Sequence, residues 1–121
     1  MQRDMDLIRE ILFRIEDHAD GFAPRELHFD GNYTEAQIRY HVWLLGNAGL
    51  MNVAETTHMQ SGGPEAIPVS LTWEGYEFIA AARNDQVWSK AKEKAKTVGG
   101  AVSLAVFKQL LESILKHQLG I

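Results

Sequence analysis

The chain has 121 residues, enough for one domain whose hydrophobic core needs no metal ion or disulfide to hold it together. It contains no cysteine, which excludes thiol catalysis, zinc–thiolate centres and disulfides. The formal net charge of −4 is unevenly distributed: residues 1–82 carry 5 Lys or Arg against 13 Asp or Glu, and residues 83–121 carry 7 against 3. Nucleic-acid-binding surfaces are basic as a rule, so the acidic first part of the chain argues against that class.

The N-terminal stretch MQRDMDLIREIL is charged and amphipathic, so we expect no secretory signal. No apolar run in the sequence reaches membrane-spanning length, and we expect a cytoplasmic protein without a membrane partner. The same stretch predicts a first helix over residues 4–18, with Asp4 as its N-cap. Its apolar residues recur at helical spacing: Met5, Ile8, Ile11, Leu12 and Ile15.

The segment that follows contains helix breakers. DGFAPRE interrupts the helical pattern, ELHF predicts a short strand or a single turn, and DGN predicts a turn. Pro24, Phe29 and Gly31 disfavour a regular helix, so the sequence leaves open whether residues 24–33 form one.

The stretch TEAQIRYHVWLLGNAGLMNV predicts a helix over residues 35–48 with well-defined ends. The Thr34 hydroxyl is suited to cap the first turn. Gly49 can adopt the left-handed conformation that ends a helix, and Leu50 can then fold back on Leu45.

This predicted helix has two different faces. One is apolar, and we expect it to bury against the first helix: Ile38, Val42 and Leu45. His41 flanks that stripe, and we expect a packed, hydrogen-bonded core histidine. The opposite face carries the residues that are candidates for binding DNA or a partner: Gln37, Arg39, Tyr40, Trp43 and Asn47.

LMNVAETT and IPVSLTW predict the two strands of an antiparallel hairpin around the loop HMQSGGPEA. This loop contains no Lys or Arg, and Glu65 lies near its tip. Because a loop that contacts phosphate normally offers cations, we expect a flexible, solvated loop.

Three further helical patterns complete the chain. TWEGYEFIAAARND predicts a helix from Thr72 with one face formed by Tyr76, Ile79, Ala80 and Arg83. DQVWSKAKEKAKT predicts a helix from Asp85 whose inward residues are Val87, Trp88, Ala91 and Ala95. Ser103 is suited to cap a last helix, whose broad apolar face over residues 104–118 favours a homodimer slightly over packing on the first helix.

The order of these elements is typical of a winged-helix domain. TEAQIRYHVWLLGNAGLMNV resembles the recognition helix and first wing strand of ArsR- and MarR-type bacterial regulators, and VSLTWEGYEFI resembles the segment after their wing. MDLIREIL, YHVWLLGNAGL, LTWEGYEFI, NDQVWSKAKEK and LLESILKHQLG resemble a small uncharacterised winged-helix family of phages and bacterial mobile elements, similar to YjcQ-like proteins.

The resemblance implies an α+β, mostly helical fold: a winged helix-turn-helix core with a β-hairpin wing over residues 1–85. It also implies that the C-terminal helices, residues 86–121, pack on this core or form a dimer interface. It brings no established activity.

Two functions are compatible with these features. The first is a DNA-binding protein, a transcriptional regulator of a phage or mobile element, in which Arg39 pairs with guanine and Gln37 or Asn47 with adenine in double-stranded DNA. Phosphates would be contacted by Tyr40 and by outlying basic residues: Arg25, Lys90, Lys92, Lys94 and Lys96. More often, such lysines form a solvated helix face.

The second function is a protein–protein interaction module in which Tyr40 and Trp43 anchor a phage or host protein. A third interpretation of Trp43 is that it packs against the C-terminal helix of the same chain. Surface charge separates the first two functions, because a DNA-binding protein must present one positive face.

Enzyme and metal chemistry have little support in the sequence. None of the five histidines pairs with another at the i,i+3 or i,i+4 spacing of metal ligands. The sequence also lacks a nucleophile elbow, a P-loop and a Gly-x-Gly-x-x-Gly motif. We therefore expect a protein that is not an enzyme and that binds no metal or cofactor.

Overall fold

In the computed structural model, residues 2–18, 20–24, 26–29, 31–99 and 102–121 are described. They form five helices and one antiparallel hairpin: α1 (Met5–Glu16), α2 (Glu35–Asn47), β1 (Met51–Glu55), β2 (Ala66–Leu71), α3 (Trp73–Ala82), α4 (Asp85–Thr97) and α5 (Leu104–Leu119). The protein is α+β and mostly helical, as predicted, and this order of elements is consistent with a winged-helix-like class.

The chain divides into two compact units, Met1–Tyr76 and Glu77–Ile121, so that α3 begins in the first unit and ends in the second. This partition does not test the predicted division into a winged-helix core, residues 1–85, and C-terminal helices, residues 86–121, which stays a prediction. Among the described helices, none combines the length and apolarity needed to cross a membrane.

α1 begins as its sequence predicts. The Asp4 carboxylate accepts hydrogen bonds from the backbone N–H groups of Asp6 and Leu7, at 3.0 and 3.2 Å. These bonds satisfy donors that the first helical turn would otherwise leave without a partner. The buried face of α1 contains Leu7, Ile8, Ile11, Leu12 and Ile15.

Both predicted ends of α2 are confirmed. The Thr34 hydroxyl accepts from the Gln37 N–H at 3.1 Å, and the Gln37 side-chain carbonyl accepts from the Thr34 N–H at 2.8 Å. The two bonds form a capping box. At the other end Gly49 has a φ of 77°, and the Leu50 N–H donates to the Leu45 carbonyl at 3.1 Å, which is a Schellman stop.

The buried face of α2 differs from the prediction at one position. Val42 and Leu45 are buried as expected, but Ile38 is only half-buried. Ile38 faces a surface groove beside α2, so it is not enclosed by the core. The predicted core position of His41 is confirmed, since its side chain is 1% exposed.

The predicted hairpin is confirmed, from Met51 opposite Leu71 to Glu55 opposite Ala66, with a bulge near Asn52. The preceding segment behaves differently from the prediction. The described residues 26–29 form neither a strand nor a helical turn, and the described part of 24–33 contains no helix. Strand-like pairing occurs earlier instead, where the Ala23 N–H donates to the Val69 carbonyl at 2.8 Å.

Burial on α3 follows a different set of residues from the face predicted from its sequence. Phe78, Ile79 and Ala82 are buried, whereas Ala80 and Arg83 are exposed. The phase of the helix follows from Gly75, which lies so close to the Leu50 backbone that this side of α3 must point inward.

The second unit has an aromatic centre. Trp88 of α4 makes edge-to-face contacts with Phe78 of α3 and Phe107 of α5, with ring centroids 6.4 and 5.0 Å apart. The predicted inward residues of α4 are confirmed: Val87, Trp88, Ala91 and Ala95. Ser103 caps α5 as predicted, accepting from the Val106 N–H at 3.1 Å.

Candidate functional site

His41 fixes α2 to the beginning of α1. Its Nε2 accepts a hydrogen bond from the Asp4 backbone N–H at 2.8 Å, and its Nδ1 lies 2.7 Å from the Gln37 carbonyl oxygen. A backbone N–H can only donate and a carbonyl can only accept, so the ring must be neutral with its proton on Nδ1. Both ring nitrogens are therefore used inside the fold, and His41 has a structural role.

Tyr33 lies beside the same junction. Its hydroxyl donates to Asp4 Oδ2 at 3.3 Å. Partial burial, followed by the charges of Asp4 and Glu10, raises the pKa of Tyr33 above its ordinary value of 10.0. Asp4 and Glu10 thus place negative charge near Tyr33.

The structure brings three of the five candidate residues of α2 into one stripe. The rings of Tyr40 and Trp43 stack with centroids 6.0 Å apart and planes inclined by 21°. Asn47 continues the stripe one turn later, where its amide donates to the Trp43 carbonyl at 3.1 Å. Tyr40 and Trp43 are half-buried and Asn47 is exposed. We call these three residues the aromatic stripe.

The other two candidates have different surroundings. Gln37 uses its side-chain carbonyl in the capping box. Arg39 forms an ion pair with Glu35 one turn earlier, and its second guanidinium nitrogen lies 4.0 Å from the Glu65 carboxylate. Its side chain is 43% exposed but lies between two carboxylates. Because hydrogen bonds to guanine require an available fork of N–H donors, this arrangement weakens a base-reading role for Arg39.

Glu65 organises the base of the hairpin loop, while residues 58–60 and 62–63 are exposed, as expected for a solvated loop. The Thr56 N–H donates to the Glu65 carbonyl at 2.9 Å, and the Glu65 N–H donates to the Thr57 hydroxyl at 3.0 Å. The Glu65 carboxylate, only 16% exposed, accepts from the Thr56 hydroxyl at 3.3 Å and lies 3.8 Å from His58. The base of the loop is thus closed by hydrogen bonds.

A groove of about 620 Å³ lies between segment 26–29, α2 and β2. Its floor includes the apolar side chains of Leu27, Ile38, Val42 and Pro68. Its charged lining residues include Glu26, Glu35 and Arg39. Sequence analysis did not identify this groove, because one of its walls is a segment without regular structure.

A second aromatic feature was also missed. Trp73 in the first turn of α3 is 74% exposed, and Tyr76 one turn later is 44% exposed. A sequence signal for Trp73 existed, because it lies outside the apolar stripe that Phe78 and Ile79 define at helical spacing.

The basic candidates outside α2 that the structure describes all lie on α4. Lys90, Lys94 and Lys96 are exposed on α4, and Lys92 is half-buried. Arg25 lies outside the described residues. Within the described ranges, no group of three or more His, Asp and Glu is arranged to hold a metal ion.

Comparison with known proteins places the chain in a family. The model of a family described as "Hypothetical protein (DUF2513)" matches residues 2–101. An uncharacterised protein of Haemophilus influenzae is 32% identical over 122 residues, which cover 99% of this chain and 100% of that protein. No solved structure matches the chain. Because the family model and this relative both extend over most of its length, the chain belongs to the DUF2513 family.

Proposed function

We propose that this chain is a protein–protein interaction module of the winged-helix type, which presents the aromatic stripe of α2 to a phage or host protein. The observation that carries the proposal is the contrast on one helix: Arg39 is engaged by two carboxylates, whereas the stacked Tyr40 and Trp43 remain partly accessible. Tyr and Trp are among the residue types that most often supply binding energy in protein interfaces.

The net charge of the first unit also favours a protein partner over DNA. The first unit, residues 1–76, contains 5 Lys or Arg against 12 Asp or Glu. Duplex DNA carries a dense negative charge, and affinity for it comes largely from cations that replace its counterions. Tyr40 and Trp43 offer a protein partner large apolar contact area, and such contact does not depend on a positive field.

The experiment is capture of partners from a lysate of the native host, with the full chain immobilised and the lysate treated with nuclease. We expect one or more proteins to be retained by the wild type and lost with Tyr40→Ala and Trp43→Ala. Arg39→Ala serves as the matched control on the same helix and should retain them. Circular dichroism would verify that each variant is folded.

A second candidate function, DNA binding by α2, is favoured by the order of helix, helix and hairpin. Fluorescence anisotropy with labelled duplex DNA at increasing salt tests it directly. Under this alternative, Arg39→Ala removes sequence preference, Lys92→Ala weakens all sequences alike, and Trp43→Ala has little effect. The two functions therefore predict opposite orders for the losses of binding that Arg39→Ala and Trp43→Ala cause.

The homodimer predicted through residues 104–118 stays a proposal. Phe107, Leu111 and Ile114 are buried in the single chain, so they are not free to pair two chains. Val106 and Leu119 remain, at 44% and 65% exposure, as apolar positions on α5 that a second copy could cover. Sedimentation of the wild type and of Val106→Glu measures whether they do.

A further inference from the structure

The groove beside α2 combines an apolar floor with a size suited to a ligand. Leu27, Ile38, Val42 and Pro68 contribute to a space of about 620 Å³. Pockets of about 300–1,000 Å³ have the size of typical binding sites for small ligands. Ile38 is the informative residue, because it lies on the core side of α2 and yet remains only half-buried.

The charged groups around this floor are mainly negative. Glu26 lies 3.0 Å from His28 Nε2 and Glu35 pairs with Arg39, but their side chains are 77% and 75% exposed, so both carboxylates keep a face open to a ligand. Arg39 is the one Lys or Arg among the described lining residues, and it is engaged by Glu35 and Glu65.

Tyr33 also lines the groove and lies near further carboxylates. Its hydroxyl contacts Asp4. Burial first, and then the charges of Asp4 and Glu10, raises its pKa. A ligand that enters the groove therefore meets the carboxylates of Glu26 and Glu35, and the charges of Asp4 and Glu10 lie near Tyr33 on the same side.

We propose that this groove binds a short peptide segment of another protein in which a lysine or arginine adjoins an apolar side chain. The apolar side chain occupies the floor formed by Ile38 and Val42, and the cation pairs with Glu26 and Glu35. Charge complementarity selects this ligand over an acidic peptide or a nucleic acid, both of which the rim repels.

This proposal goes beyond the interaction through the aromatic stripe and stands without it. Tyr40, Trp43 and Asn47 are not among the described residues that line the groove. The two sites can therefore be altered separately, and one can fail while the other holds.

The test uses blocked pentapeptides in which leucine alternates with lysine, glutamine or glutamate, titrated into the full chain at low salt. Binding is followed by amide chemical shifts. We expect the lysine peptide to shift the signals of Ile38 and Val42, to bind at least fivefold more tightly than the glutamine peptide, and to outcompete the glutamate peptide. Equal affinity for all three, no binding, or shifts confined to other residues would overturn the proposal.

Variants of Glu26 and Glu35 test whether these two rim carboxylates cause the preference for the lysine peptide. Glu26→Gln and Glu35→Gln should each weaken the lysine peptide about fivefold, since one ion pair at about 4 Å in water contributes roughly 1 kcal/mol. Glu55→Gln is the matched control, because Glu55 is exposed and is not a described lining residue. If Glu55→Gln weakens binding as much as the rim variants do, the groove does not select the cation and the proposal fails.

A last pair of variants separates this proposal from the proposed function. Tyr40→Ala and Trp43→Ala should leave affinity for the lysine peptide unchanged, even where they abolish capture of a partner from lysate. If they abolish peptide binding instead, the peptide binds the aromatic stripe and the groove assignment is wrong.

Discussion

Replacing Gly75 by alanine would test how α3 joins the hairpin. A Cβ at this position would meet the carbonyl oxygen of Leu50, a backbone group that also accepts a hydrogen bond from the Thr72 N–H at 3.2 Å. Backbone cannot rotate aside as a side chain can, so we place the steric cost at about 3 kcal/mol, the upper end for overpacking. Alanine's higher helix propensity returns about 1 kcal/mol. The net loss in unfolding free energy should be about 2 kcal/mol.

Two other glycines provide the controls for this measurement. Gly62 has open space around it, so Gly62→Ala should leave the urea midpoint nearly unchanged. At Gly46 a Cβ would lie 2.5 Å from Val53 Cγ2, which is a side-chain obstacle. Adding Val53→Ala should therefore restore part of the unfolding free energy that Gly46→Ala loses. A double-mutant cycle measures this coupling. A Gly75→Ala protein with the wild-type midpoint would refute the close approach of α3 to Leu50.

Three further predictions concern His41, Tyr33 and Leu111. His41→Leu leaves the Asp4 N–H without its acceptor and should lower the unfolding free energy by about 1–3 kcal/mol in urea; an unchanged midpoint would contradict the buried hydrogen bond. The folded-state pKa of Tyr33 is raised above 10.0, so its stabilising contribution is complete below pH 10.0 and is lost as pH rises through the folded value. Tyr33→Phe should flatten this alkaline decline, and an identical pH profile would contradict the assignment. Leu111→Ala should cost about 2–5 kcal/mol, because Leu111 is 0% exposed in the folded chain; a loss below 1 kcal/mol by thermal unfolding would argue against this packing.

The features that the sequence predicts best are those whose causes lie within a few residues. Thr34 caps α2 through a bond to a residue three positions away, and Gly49 ends it through its own φ. The burial of Val42 and Leu45 follows from helical spacing alone. Local chemistry determines such features, so a single sequence is sufficient to find them.

The features that escaped prediction depend on residues far apart in the chain. Arg39 and Glu65 are 26 positions apart, and only the closure of the hairpin beside α2 brings them within 4.0 Å. The phase of α3 depends on contact between Gly75 and the backbone of Leu50, which no periodicity in α3 contains. The groove likewise requires a segment without regular structure to stand against α2 and β2.

Both proposed binding surfaces depend on α2 being held in place before a partner arrives. The capping box fixes its first turn, the Schellman stop fixes its last, and His41 ties its middle to the N-terminus of α1. A surface on a helix constrained in this way loses little conformational entropy on binding, which favours affinity for a given contact area. Arg39 lines the groove, whereas Tyr40, Trp43 and Asn47 are not among its described lining residues. The two surfaces therefore use different side chains of one fixed helix, and each can be removed by substitution while the other is kept.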